Sequence, residues 1–304
     1  MDQRTSGTPS GTTDTAPALL GVACGLSAAL FWALGFAATR HGLKLGFTPV
    51  DLLAHRYVWS GLAFLPLVLR AGLSDLAGIG WGRGLVLSVL GGPVMSLISY
   101  CGFLFVPLGH GSVIQPSCAT LGGLLFAALL LKERISLSRF AGAVVIVGGL
   151  GVIGAESIGH IGPDGVVGDL IFVTTGLMFA GFGAALRHWR VSAVSAALVI
   201  NVVSLALLPI YLAIGGLSRI AALGLFENAI QALVQGVLAG PAALYLYAVS
   251  VQRLGVARAA VFPACVPALT LLVGWLLIGE PPTPLQAAGL ITVLCGFYLA
   301  QRQS

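Results

Sequence analysis

The sequence predicts an all-α membrane protein of ten transmembrane helices, arranged as two inverted five-helix repeats around a central cavity. Three observations lead there. Hydrophobic residues form 58% of the chain and charged residues 8%, against roughly 25% charged in a soluble domain. So few polar groups cannot cover a water-facing surface, so the solvent is largely lipid. Apolar runs recur at lengths near the ~20 residues that carry a helix across a ~30 Å hydrocarbon layer. And the chain matches itself when shifted by 147 residues.

In chain order, residues 1–17 are rich in Thr, Ser, Gly and Pro without an apolar face, and are expected as a disordered cytoplasmic tail. The first repeat, 18–154, holds apolar runs at 18–39, 50–69, 84–106, 111–131 and 140–154. The cluster Pro107, Leu108, Gly109, His110 and Gly111 is read as the turn between the third and fourth. A periplasmic-side linker, 155–166, leads to the second repeat, 167–300, with runs at 167–186, 195–215, 230–251, 256–279 and 285–300. Residues 301–304 form a cytoplasmic C-terminus. A β-barrel would alternate polar and apolar residues, which these runs do not. Forty-two Gly suit helices that adhere by close backbone approach.

The net charge of +5 is spread over helix ends and forms no basic face, so no nucleic-acid partner is expected. It reads as topology. With the N-terminus inside, Arg4, Arg70, Arg83, Lys132, Arg134, Arg139, Arg187, Arg190, Arg253, Arg258 and Arg302 fall on the cytoplasmic side, leaving Arg40, Lys44 and Arg219 outside. That bias predicts a multi-pass inner-membrane protein with both termini cytoplasmic. The cysteines, Cys24, Cys101, Cys118, Cys265 and Cys295, stand singly in apolar runs and read as small buried residues, so no metal is expected.

The shift of 147 aligns Tyr100 with Tyr247, Pro116 with Pro263, Glu133 with Glu280, Gly142 with Gly289 and Gly149 with Gly296. It also aligns Ala37, Ala38, Arg40 and His41 with Ala184, Ala185, Arg187 and His188. Five spans per copy is an odd number, so the second copy enters from the opposite side and the repeats are inverted. Two halves of similar sequence can exchange conformations, which suits alternating access around a midplane site.

These residues also carry a resemblance. In the second half Tyr247, Ala248 and Val249 end one helix, the next holds Pro263 and Pro267 and closes in Ile278, Gly279 and Glu280, and Gly289 follows. In the first half Tyr100, Cys101 and Gly102, then Pro116, then Leu131, Lys132 and Glu133 before Gly142 repeat the pattern, with Lys132 where Gly is expected. Phe31, Trp32 and Arg40 lie in the opening helix and Arg56 in the second. The pattern resembles the EamA-type drug/metabolite transporter superfamily over about residues 18–300. The resemblance implies a ten-helix basket with a central cavity that moves amino acids or similar metabolites, commonly outward.

Arg56 lies within a span, where an unpaired charge costs at least ~2.5 kcal/mol. It either holds a substrate carboxylate through its planar fork, or snorkels, or pairs with Asp51 or another chain segment to fix a helix. Trp32, Tyr100, Tyr245 and Tyr247 lie inside spans and need partners for their polar tips; they are cavity-wall candidates, with Gln115, and Asn201 as a lesser one. Pro116 and Pro263 are hinge candidates that free backbone carbonyls. Glu133 and Glu280 are gate candidates, or helix caps. His55 and His110 either carry a transported proton or pack near helix ends.

The expected function is secondary transport, with export of amino acids or similar small polar metabolites. No catalytic constellation, cofactor motif or nucleotide-binding loop is present in the sequence, so no enzyme chemistry and no cofactor are expected. The alternative is a lipid or polyprenyl-carrier translocator. The expected partners are a small-molecule substrate and the lipid bilayer, with a homodimer left open.

Overall fold

The computed structural model describes residues 15–72, 74–130, 136–254, 259 and 261–301, and every regular element among them is helical. The first half comprises α1 (Thr15–Leu45), α2 (Pro49–Ala71), α3 (Trp81–Gly102), α4 (Leu108–Leu130) and α5 (Leu137–Glu156). The second comprises α6 (Pro163–Trp189), α7 (Val194–Ala213), the short α8 (Gly216–Ala222), α9 (Leu225–Leu254), α10 (Val261–Val273) and α11 (Pro284–Gln301). Helices α1, α2, α3, α5, α6, α7 and α9 are long and apolar enough to cross a membrane; Phe262–Ile278 and Pro284–Ala300 are shorter apolar helices. Exposed side chains such as Leu129, Val144, Leu170, Ile210, Leu276 and Ile291 stud the flanks, a surface that only lipid can cover.

Local chemistry starts and stops the elements. Thr48 caps α2 in a reciprocal box with Asp51, with Pro49 at the first helical position, where its missing N–H is not needed. The expected turn at 107–111 is displaced. Residues 103–107 turn, and Gly109, His110 and Gly111 lie in the first turns of α4. Those glycines serve packing instead: a Cβ on Gly111 would meet Phe172 at 2.4 Å and one on Gly109 would meet Gln286 at 2.4 Å. The helix α1 already begins at Thr15, inside the expected tail, and Ser157–Ile161 of the expected linker is a π-helical turn.

The halves interleave. Helix α1 packs on α9 and α10, α6 packs on α3 and α4, α2 on α7, and α5 on α11. Exchanging α1 with α6, α2 with α7, α3 with α9, α4 with α10 and α5 with α11 leaves that set of pairings unchanged. The crossing of α5 and α11 is antiparallel and built from glycine: a Cβ on Gly142 would strike the Gly296 carbonyl at 2.6 Å, and one on Gly149 the Gly289 carbonyl at 2.9 Å. The shift of 147 converts each of these contacts into the other. Backbone approach of this kind is how membrane helices adhere without a hydrophobic driving force.

The start of α11 meets the end of α5, through Glu156 with Thr283 and Gln286, and the end of α1, through Arg40 with Glu280. The end of α11 meets the start of α5, through Ala300 and Gly142. So α1 begins and α11 ends at one end of the bundle. The opposite end is called distal below.

Candidate functional site: a polar seam at two broken helices

Two helices in corresponding places break at a Gly-Pro pair. In α3, Gly92 adopts φ −119°, ψ −142° ahead of Pro93. In α9, Ala232–Ala242 widens into a π-helix, and Gly240, at φ −93° and ψ −106°, leaves helical geometry before Pro241. Proline removes a backbone donor and frees a carbonyl, and such interruptions inside a membrane are tolerated where protein or a wet cavity satisfies the freed groups. A Cβ on Gly92 would meet the Ser88 carbonyl at 2.4 Å, so only glycine fits that corner.

Polar side chains from α1, α2, α3, α7 and α9 line the space between these breaks. The Arg56 guanidinium on α2 donates to the Ala239 carbonyl at 3.5 Å, directly before the break in α9. On the next turn Ser60 bonds to Asn201 of α7. Tyr57 pairs its hydroxyl with Ser96 of α3 at 2.8 Å. Gln235, fully buried in the π-helical stretch, donates to Thr39 at 2.7 Å and to the Gly35 carbonyl at 3.0 Å, and accepts from Tyr100 at 3.4 Å. These helices thus supply a band of neutral hydrogen bonds around the Arg56 cation. In a low-dielectric interior such a band is strong when its groups are all partnered.

Arg56 and Tyr100 meet in this seam, and Gln115 joins its edge by accepting from Ser99 at 3.0 Å. Trp32 and Tyr247 pack ring on ring at 5.5 Å between centroids, towards the end where the chain's described residues begin. Tyr245 does not join them: it is 69% exposed on the outer flank. The pairing of Arg56 with Asp51 is not made either. Asp51 accepts instead from Tyr211 at 2.8 Å and Arg219 at 3.1 Å, as well as from Thr48. Pro116 lies inside α4, Pro263 in the first described turn of α10, and Glu133 outside the described residues.

Glu280 lies at the distal end. Gly279 turns the chain at φ +70°, a left-handed conformation open to glycine, and presents the following carboxylate to α1. It accepts from Arg40 at 3.0 Å, Lys44 at 2.6 Å and the Leu108 N–H at 3.2 Å. Burial opposes its ionisation, but the Lys44 ammonium and the Arg40 guanidinium hold its carboxyl below the usual carboxylate range. Beside it lies a cavity of about 310 Å³ whose mostly apolar wall includes Leu108 and Leu271 and carries the polar groups of Arg40, Glu280, Thr283 and Gln286.

The histidines differ. His55 accepts from the Trp59 indole N–H at 3.3 Å and faces Asn228 Oδ1 at 3.0 Å. Indole only donates and the Asn228 amide nitrogen is spent on two carbonyls, so a neutral ring with its proton on Nε2 satisfies both contacts. That is a packing role. His110 meets carboxylates on both sides.

Sequence reading passed over Gln235 and Thr39, and read Pro93 and Pro241 as in-span prolines that free carbonyls without joining them in one site. The signal was present: Gly/Pro interruptions in corresponding hydrophobic segments of two repeats point to the binding region.

The EamA-like transporter family matches residues 19–155 and again 166–301. An uncharacterized transporter of Archaeoglobus fulgidus is 25% identical over 284 residues, which is 90% of this chain and 95% of that one. A solved crystal structure superposes with a TM-score of 0.55 at 21% identity, covering 94% of this chain and 96% of that one, and so shares the fold.

Proposed function

We propose that this chain, which belongs to the EamA-like transporter family, is a secondary transporter that exports amino acids or similar small polar metabolites by alternating access. The observation that carries this reading is Arg56 placed at the break in α9, beside the Ala239 carbonyl. A guanidinium fork suits a carboxylate, and carbonyls loosened from the helix ladder suit an ammonium group. Together they match the two ends of an amino acid. The pair Trp32 and Tyr247 supplies an apolar wall for the side chain.

Ten crossings in two inverted copies are part of the proposal. The antiparallel α5–α11 crossing, which the 147-residue shift maps onto itself, supports inversion, since copies in the same orientation would pair these helices in parallel. Arginines Arg70, Arg83, Arg139, Arg187, Arg190 and Arg253 all belong to the end where α1 begins, which supports reading that end as cytoplasmic, in an inner membrane, and the distal end as periplasmic. The engaged Glu280 clasp then describes a carrier shut towards the outside.

Proteoliposomes holding the purified protein, challenged with a panel of radiolabelled amino acids, test this. Saturable flux of one class, absent in Arg56→Ala, is expected. Lipid scrambling without solute flux would overturn it and favour a lipid or polyprenyl-carrier translocator. One observation favours that second reading: an apolar groove of about 320 Å³ between α2, α3 and α7, lined by Leu53, Tyr57, Pro93, Leu97 and Leu208.

A further inference from the structure

His110 has no exposed surface, yet both ring nitrogens face acids. Nδ1 lies 2.9 Å from Asp169 of α6, and Nε2 lies 3.5 Å from Glu156 at the end of α5. Glu156 is tied to α11 by Thr283 at 2.9 Å and Gln286 at 3.3 Å. Four helices, α4, α5, α6 and α11, are therefore joined through one imidazole.

A neutral imidazole carries one N–H and so can donate to only one of two carboxylates. Its other nitrogen then turns a lone pair towards an oxygen lone pair, in a place closed to solvent. An additional proton in the cluster, either on the ring or on the facing carboxyl, makes both contacts attractive. With the ring charged, the Asp169 contact is a charge-assisted hydrogen bond and the 3.5 Å Glu156 contact an ion pair. His55, whose contacts a neutral ring satisfies, shows the contrast.

We propose that His110, with Asp169 and Glu156, is a buried proton-binding site whose loading locks the distal ends of α4, α5, α6 and α11 together and whose emptying loosens them. Its ligand is a proton, gained and lost at a nitrogen with no other bond changed. Arg40 and Lys44 from α1 are held by Glu280, which also binds the Leu108 N–H, and α10 presents Leu271 against Gly109. The route for the proton is the cavity of about 310 Å³ lined in part by Thr283 and Gln286, the two residues that hold Glu156.

The site is also absent from the duplication. At the shift of 147, His110 corresponds to Ala257 and Asp169 to Val22, so neither counterpart is titratable. A proton site at one end alone makes the two ends respond differently to pH, which gives an otherwise symmetric machine a direction. That last step rests on the carrier reading; the proton site itself does not.

Hydrogen–deuterium exchange of the full chain in lipid nanodiscs, read in peptides covering 104–112 and 155–170, tests the site. After correction for intrinsic chemistry, exchange should rise about tenfold in one single-proton transition between about pH 5 and pH 8. His110→Gln should flatten the profile to within about twofold, and Glu156→Gln, the second variant, should do the same. His41→Gln, altering the half-exposed histidine paired with Glu227, should keep the wild-type profile. A flat wild-type profile, or a transition that survives in either folded variant, overturns the proposal. Transport is not measured here, so failure of the proton site and failure of the carrier reading are separate results.

Discussion

At the middle of the bundle one guanidinium, Arg56, stands among neutral partners, whereas at the distal end charges come in sets: Arg40 and Lys44 on Glu280, Arg219 on Asp51, and His110 between two acids. The difference is one of purpose. A charge whose protein partners are all neutral is available to an incoming anion, and removing it leaves no opposite charge stranded. Charges that already neutralise one another bind helices together and can be released by a proton or a competing ion. A polar seam is thus suited to holding cargo, and a set of ion pairs to holding a state.

Variants can break that division. Arg56→Ala should abolish solute flux by about 100-fold or more, equivalent to roughly 3 kcal/mol of lost charge recognition, while leaving the thermal midpoint within a few degrees. Arg56→Lys should recover only part, because an ammonium lacks the bidentate fork. Next in size, Gln235→Leu removes the donor that Thr39 and Gly35 share and leaves Tyr100 without its acceptor. Its expected cost is about 1–3 kcal/mol in unfolding titrations, with flux reduced about tenfold.

Glu280→Gln should act on state rather than affinity. Losing a partly exposed ion pair is worth about 1 kcal/mol, so distal-end accessibility to a thiol reagent at an engineered cysteine should rise about fivefold, with KM little changed. The pH dependence follows from the sign of its shift. Because the folded pKa is depressed, the stabilisation is present above the ordinary carboxylate value of 4.5 and is lost as pH falls through the lowered folded value. The His110 cluster has the opposite sense, locking as protons bind, so the two distal clasps should separate cleanly in a pH series. Smallest of all, Tyr245→Phe should change flux less than about twofold, since its ring lies on the lipid-facing flank.

Much of this was legible in advance. The helices α1, α2, α6 and α11 fall close to the runs that hydropathy marks, and the pairs Gly142 with Gly289 and Gly149 with Gly296 prove to be one crossing seen from both halves. The misplaced turn at 107–111 has a specific cause: Gly109 and Gly111 look like turn residues in one dimension, yet they are small because Gln286 and Phe172 press against them. Tyr245 and Tyr247 look alike in sequence, but two positions on a helix are about 200° apart, so one faces Trp32 and the other lipid.

The sequence by itself determined the solvent, the helical class and the duplication, because each depends on residues within about 20 positions or on a constant shift. Tertiary structure decided which polar groups meet: Tyr100 with Gln235 across 135 positions, Arg56 with Ala239 across 183, and Arg40 with Glu280 across 240. Hydropathy records that a polar side chain inside lipid must find a partner, but the partner's identity depends on how the helices rotate and cross, which small-residue packing sets.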